Sequence, residues 1–150
     1  MKEGADLKQL VGYQVQRADL LLNADARDAL TSYDLSPAKL TALILIRDNP
    51  GSDQTALGRA LSINRSSAMK LVNLLVERNL VERRPGRNLR TNALHLTDEG
   101  EALVPQMLGA LRASDAKMTS TLSAEEVRTL IGLLRKIGRP AAKSGARRSA

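Results

Sequence analysis

The run Arg65-Ser66-Ser67-Ala68-Met69-Lys70-Leu71-Val72-Asn73 is where side chains capable of chemistry gather at helical spacing. Ala68, Leu71, Val72 and Leu75 recur at intervals of three and four and mark an inward face, which leaves Arg65, Ser66, Ser67, Lys70 and Asn73 facing out. Arg or Lys can read guanine edges and Ser either base type, so such a helix suits a duplex major groove about 12 Å wide. Three more arginines, Arg84, Arg87 and Arg90, fall in a Pro- and Gly-containing run from Arg84 to Asn92. They could reach phosphates or an adjacent narrow minor groove. The plain alternative for both sets is a solvated helix face and a solvated loop.

Other chemistries find too few groups. No Cys is present, which excludes disulfides, thiolate nucleophiles, cysteine redox sensing and Cys-ligated zinc. The single His95 cannot assemble a metal cluster, so no metal and no cofactor is expected; it reads as a strand histidine, with pH sensing as the alternative. Two Tyr with no Trp or Phe leave no stacking platform for single strands, which favours duplex DNA as a nucleic-acid partner. An enzyme would need a nucleophile beside a base, yet Ser66 and Ser67 lie on the outward helix face and His95 has no evident partner. The chain is not read as an enzyme.

Charge is distributed as a polyphosphate-binding surface requires. The 150 residues carry 23 basic and 16 acidic side chains, a net +7. Residues 59–90 hold eight basic and two acidic side chains, and residues 139–150 hold four and none. The stretches 1–58 and 91–138 are each slightly acidic. Such concentration favours nucleic acid over general solubilisation. At 43% hydrophobic and 26% charged residues, the chain reads as about one globular domain. MKEGADLKQL has no apolar run, and no stretch nears the roughly 20 apolar residues of a membrane span. A cytoplasmic protein with no membrane partner is expected.

The elements that must position these groups are mostly helical. A stripe through Leu10, Val11, Val15, Ala18, Leu21 and Leu22 predicts one long helix from Leu7 to about Ala29. Ser36 as cap and Pro37 at the first position open a second helix, which Asn49-Pro50-Gly51 stops. Ser52 can cap a short third helix through Leu57 and Leu61. Ser62-Ile63-Asn64 then makes a tight corner, and Asn64 is the predicted N-cap of the helix from Arg65 to about Arg78, with Asn79 as a left-handed C-cap. Leu80–Arg83 and Ala93–Leu96 read as a two-stranded hairpin with a long basic tip. Thr97 caps a fifth helix, in which Pro105 predicts a mild bend or a late start. Ser123 and Glu126 form a capping box for a last helix that ends at Gly138.

This order defines the expected fold class: mainly α with a small two-stranded β-hairpin wing, a winged helix-turn-helix flanked by N- and C-terminal helices. The expected organisation is one domain over 1–138, with a DNA-binding lobe at about 36–97 and flanking helices at about 6–29 and 98–138. The basic stretch 139–150 is expected to be a disordered tail.

Five stretches, in order and with matching gaps, carry a resemblance to the MarR (multiple antibiotic resistance regulator) family. Leu35–Leu43 is similar to its second-helix opening, Gln54–Leu61 to its first motif helix and Asn64–Val72 to its recognition helix. Leu75–Arg83 resembles the approach to its wing, Leu96–Gly100 the wing exit, and the likeness extends from Leu7 to Ile137. Two positions depart: Asn79 stands where Gly is usual, and Asn88-Leu89-Arg90 replaces Asp-x-Arg, leaving the wing arginine without a charged brace.

The resemblance implies a homodimer whose first, fifth and sixth helices interlock, on a pseudo-palindromic operator with half-sites about 10 to 10.5 base pairs apart. It also implies a repressor released by a small-molecule effector, often an aromatic or phenolic anion, held between the dimerisation helices and the DNA-binding lobe. Tyr13, Arg17 and Tyr33 are the candidate ligand-binding residues. The alternative places Tyr13 and Arg17 on the dimer face and Tyr33 as a loop anchor. For the whole protein the competing reading is a ligand-blind architectural or accessory DNA-binding protein.

Overall fold

A computed structural model describes residues 4–85 and 92–138, which fall into two compact units, one running to Met118 and one beginning at Thr119. The wing-tip residues Arg87, Asn88 and Arg90 and the basic stretch 139–150 lie outside the described residues.

The first unit begins with α1 (Ala5–Gln9) and α2 (Val11–Ala29) in place of the single helix that the stripe predicts. Leu10 is extended, with φ −81° and ψ 113°, and breaks the chain there. The break is locally satisfied: Gln14 Nε2 donates to the Lys8 carbonyl at 3.0 Å. The stripe itself stays largely outside, since Val11, Val15, Leu21 and Leu22 are exposed and only Ala26 of α2 is buried. A 3-10 turn (Thr31–Tyr33) leads through the left-handed Asp34 to α3 (Pro37–Asp48). Pro37 fills the first position as predicted, whereas Ser36 makes no side-chain cap bond.

Helix α3 is the centre of the core. Leu40, Ala42, Leu43 and Ile46 are buried and meet Val72 and Leu75 of α5 (Arg65–Glu77), Leu94 of β2 (Asn92–Leu96), and Val104 and Met107 of α6 (Asp98–Met118). Each buried Leu, Ile, Val or Met among them contributes about 1.5–3 kcal/mol by leaving water, which explains why α6 continues as one helix through Pro105. Val104 and Met107 anchor the helix on both sides of the proline, and Pro105 itself is exposed.

Helix α6 is tied to two neighbours. Near its C-terminus, Ser114 Oγ donates to Asp25 Oδ2 of α2 at 2.7 Å, and Lys117 Nζ bonds the other carboxylate oxygen. First Lys117 and then Ser114 holds the Asp25 carboxyl below its usual range, and the same pairing raises the Lys117 ammonium. At its N-terminus, Gly100 packs against the Leu80 backbone so closely that a Cβ would lie 2.2 Å from the Leu80 oxygen. Only glycine permits that approach.

The second unit, described to Gly138, contains α7 (Ala124–Leu134), opened by the predicted capping box. Ser123 N–H donates to Glu126 Oε2 at 2.7 Å, Glu126 N–H donates to Ser123 Oγ, and these bonds lower the Glu126 carboxyl. Within this unit Leu130, Ile131, Leu133 and Leu134 are exposed.

Candidate nucleic-acid interface

The outward helix and the wing are held by local chemistry that fixes their relation. Helix α4 (Gln54–Ala60) is capped by Asp53, whose carboxylate accepts from Ala56 N–H at 2.7 Å. This corrects Ser52 as the expected cap. Ser52 is used differently: its carbonyl accepts from Leu94 N–H at 2.8 Å while Gly51 N–H donates to the Leu94 carbonyl, so this segment pairs with β2. At the corner Ser62 takes φ 55°, and Asn64 Oδ1 accepts from Ser67 N–H at 2.8 Å to cap α5. Gly58 lets α4 and α5 approach closely, since a Cβ there would sit 3.1 Å from Ala68 Cβ. Asn79 ends the helix region in the left-handed conformation with φ 55°.

Burial sorts α5 cleanly. Ala68, Val72 and Leu75 are buried, and Arg65, Ser66, Ser67, Met69, Lys70 and Asn73 are exposed. Arg65 and Lys70 take part in no ion pair among the described residues. Asn73, expected on the outward, DNA-facing side, is exposed there and has a partner within the protein: its Oδ1 accepts from Arg83 Nη2 at 2.5 Å. The bond braces α5 against β1 (Val81–Pro85), which pairs antiparallel with β2 in the register Arg83 to Leu94.

The two wing-strand arginines behave differently, and the period of a strand explains why. Successive side chains alternate, so Arg83 shares the face of the buried Val81 that turns toward α5, and Arg84 shares the face of Glu82. Arg84 Nε donates to Glu82 Oε1 at 2.7 Å, which offsets the charge expected to reach phosphate or the minor groove. Arg83, which the sequence reading omitted, lines with Arg65 a cleft of about 240 Å³ between the N-termini of α4 and α5 and the wing. The alternation of β1 is the signal that could have found it. The Asp53 carboxylate that caps α4 lines the same cleft, so the two guanidinium groups leave it one positive charge in excess, which favours an anion such as a phosphate oxygen.

The candidate ligand residues do not form one visible group. The Arg17 guanidinium lies 6.0 Å from the Tyr13 ring centre on α2. Tyr33 packs half-buried on the core from its 3-10 turn. Among the described residues no three His, Cys, Asp or Glu gather to hold a metal, and no helix is long and apolar enough to cross a membrane.

Two helices across a tight corner, followed by a two-stranded wing, define a winged helix-turn-helix. The sequence model of the MarR family matches residues 33–88. Over 145 residues the chain is 32% identical to a proposed transcriptional regulatory protein for the hcr operon of Thauera aromatica, covering 90% of this chain and 87% of that one. The protein belongs to the MarR family of transcriptional regulators. The transcriptional repressor CouR, bound to a 23-mer DNA duplex, is 27% identical and superposes with a TM-score of 0.87 over 93% of this chain and 99% of its own. CouR bound to p-coumaroyl-CoA covers the same shares at the same identity with a TM-score of 0.79. The Mycobacterium tuberculosis family member Rv2887, in complex with salicylic acid, is 25% identical with a TM-score of 0.71, over 86% of this chain and 96% of its own.

Proposed function

We propose that this chain is a homodimeric, sequence-specific duplex-DNA regulator of the cytoplasm, a non-enzymatic repressor released by a small aromatic or phenolic anion. The observation that carries DNA recognition is the outward face of α5, where Arg65 and Lys70 keep their charge beside the braced Arg83. In this reading Arg65, Ser66, Ser67 and Lys70 meet base edges or adjacent phosphates in the major groove. Arg83 meets phosphate, and Arg87 and Arg90, which lie outside the described residues, are kept as phosphate or minor-groove candidates on their sequence position alone. Asn73 acts mainly by holding Arg83.

The exposed apolar side chains of α2, and separately those of α7, support a second copy as partner, since contiguous surfaces of this kind seldom face water in a monomer. The functional domain is then 1–138, and two-fold symmetry makes the operator pseudo-palindromic. CouR with p-coumaroyl-CoA and Rv2887 with salicylic acid support an effector carrying an aromatic ring and an anionic group. The Tyr13 and Arg17 pair offers a ring and a cation for it. Release follows if the effector binds more tightly to a form whose recognition helices no longer fit the operator.

The test is a fluorescence anisotropy titration against duplex from the gene's own upstream region and against scrambled duplex, at two salt concentrations. A preference of about 10³-fold or more for the native duplex is expected. Equal binding that collapses with salt at both would replace the regulator with a ligand-blind architectural protein.

A further inference from the structure

The geometry points to Met69 as a specificity-determining residue that reads the 5-methyl group of thymine, an inference that rests on the duplex-binding reading above. Between residues 23 and 121, Met69 is the one large hydrophobic side chain among the described residues that is exposed, with 49% of its surface open. The core does not need it. Ala68, Val72 and Leu75 already fill the inward face of α5, and Met69 stands about a quarter turn round the helix from them, exposed.

Its position is that of a reader. Met69 follows Arg65 by four residues and precedes Asn73 by four, so it stands one turn from each on the same face, with Lys70 beside it. Cations flank it, and Asn73 fixes the helix to the wing at that point. An apolar side chain among them cannot serve phosphate. The major groove offers one apolar feature among its donor and acceptor patterns, the thymine methyl. A thioether has no donor and a flexible, polarisable reach, so it would discriminate by contact and burial rather than by hydrogen bonding.

The experiment selects preferred duplexes from a random pool with the full-length protein, then replaces each thymine singly by deoxyuridine, which deletes only the methyl. The wild type should lose about fourfold at one thymine position of a half-site, the value of one buried methyl-sized group. Met69→Ala should bind the thymine and deoxyuridine duplexes equally there, while Met69→Leu keeps the preference. Since Met69 is half open to water and Ala favours helix, neither variant threatens the fold. A wild type with no deoxyuridine-sensitive thymine, or a Met69→Ala protein that keeps the discrimination, would overturn the assignment while leaving sequence-specific binding in place. Failure of the pool to yield any preferred duplex would remove the regulator reading and this one with it.

Discussion

Gly100→Ala sets two physical effects of opposite sign against each other at the junction that carries the recognition helix. Helix propensity alone predicts a gain of up to about 1 kcal/mol, less near a helix start. Steric contact predicts a loss. The new Cβ would lie 2.2 Å from the Leu80 oxygen, 3.1 Å from its carbonyl carbon and 3.4 Å from its Cα, all backbone atoms that no rotamer change can move. Leu80 cannot retreat cheaply. Its N–H donates to the Leu75 carbonyl at 3.0 Å, its oxygen accepts from Thr97 N–H at 3.2 Å, and Thr97 Oγ1 donates to the adjacent Asn79 carbonyl at 2.5 Å. Overpacking of this kind costs about 1–3 kcal/mol, and a strained Thr97–Leu80 bond adds about 1 kcal/mol. The steric terms win, for a net destabilisation of about 1–3 kcal/mol. Urea unfolding followed by circular dichroism at one fixed protomer concentration measures it. Gly109→Ala, in the same helix with nothing within 4 Å of its new Cβ, is the control and should stabilise by about 0.5–1 kcal/mol. An unchanged or raised midpoint for Gly100→Ala would refute the claim that close approach, and not chance, keeps glycine there.

Two further perturbations separate positioning from charge. Arg83→Ala should weaken every duplex alike and flatten the salt dependence by about one unit of slope, whereas Asn73→Ala, which leaves the Arg83 charge in place, should lose affinity with the slope retained; equal slopes for both variants would remove Arg83 from the phosphate contacts. The Asp25 to Lys117 tie predicts a pH window: a depressed carboxylate adds stability above its unfolded value of about 3.9 that is lost as pH falls through the folded value, and a raised ammonium adds stability below about 10.4 that is lost as pH rises further. Urea midpoints of the wild type should therefore fall on acidification more steeply than those of Asp25→Asn, and parallel curves would rule the tie out as a source of that dependence.

The elements were legible where a local signal had no rival. Pro37 at a first turn, the Ser123 to Glu126 capping box and Asn79 at a left-handed cap each act within four residues, and each stands where the sequence predicts it. Signals failed where a neighbour competed. Ser52 precedes Asp53, a stronger acceptor, and the Ser52 backbone is drawn into pairing with β2. The stripe from Leu7 to Ala29 is continuous, yet the backbone breaks at Leu10, because periodicity records which side chains share a face and not whether the helix between them is unbroken. The late start that Pro105 offered is not taken: α6 begins at Asp98 and continues through the proline, held by the burial of Val104 and Met107, which lie 58 or more residues from the α3 side chains of the same cluster and so leave no local trace.

For the site, the limit of the sequence is that charge adds along a chain but acts in pairs. Residues 59–90 carry a net +6, and that sum marks the candidate interface without saying which cations would serve it. Arg83 and Arg84 are adjacent and chemically identical, so composition cannot separate them, whereas a strand sends them to opposite faces. One meets a carboxylate and has its field offset by Glu82; the other meets the neutral Asn73, which fixes its direction and leaves its charge intact. A guanidinium held by an amide is better prepared for phosphate than one held by an acid, because binding then costs neither an ordering step nor the breaking of an ion pair. The same reasoning applies to the helix face: the two acids of residues 59–90 are Glu77, two turns beyond Lys70 along α5, and Glu82, committed to Arg84, while Asp53, which shares the cleft of Arg65, is engaged by the Ala56 N–H that it caps.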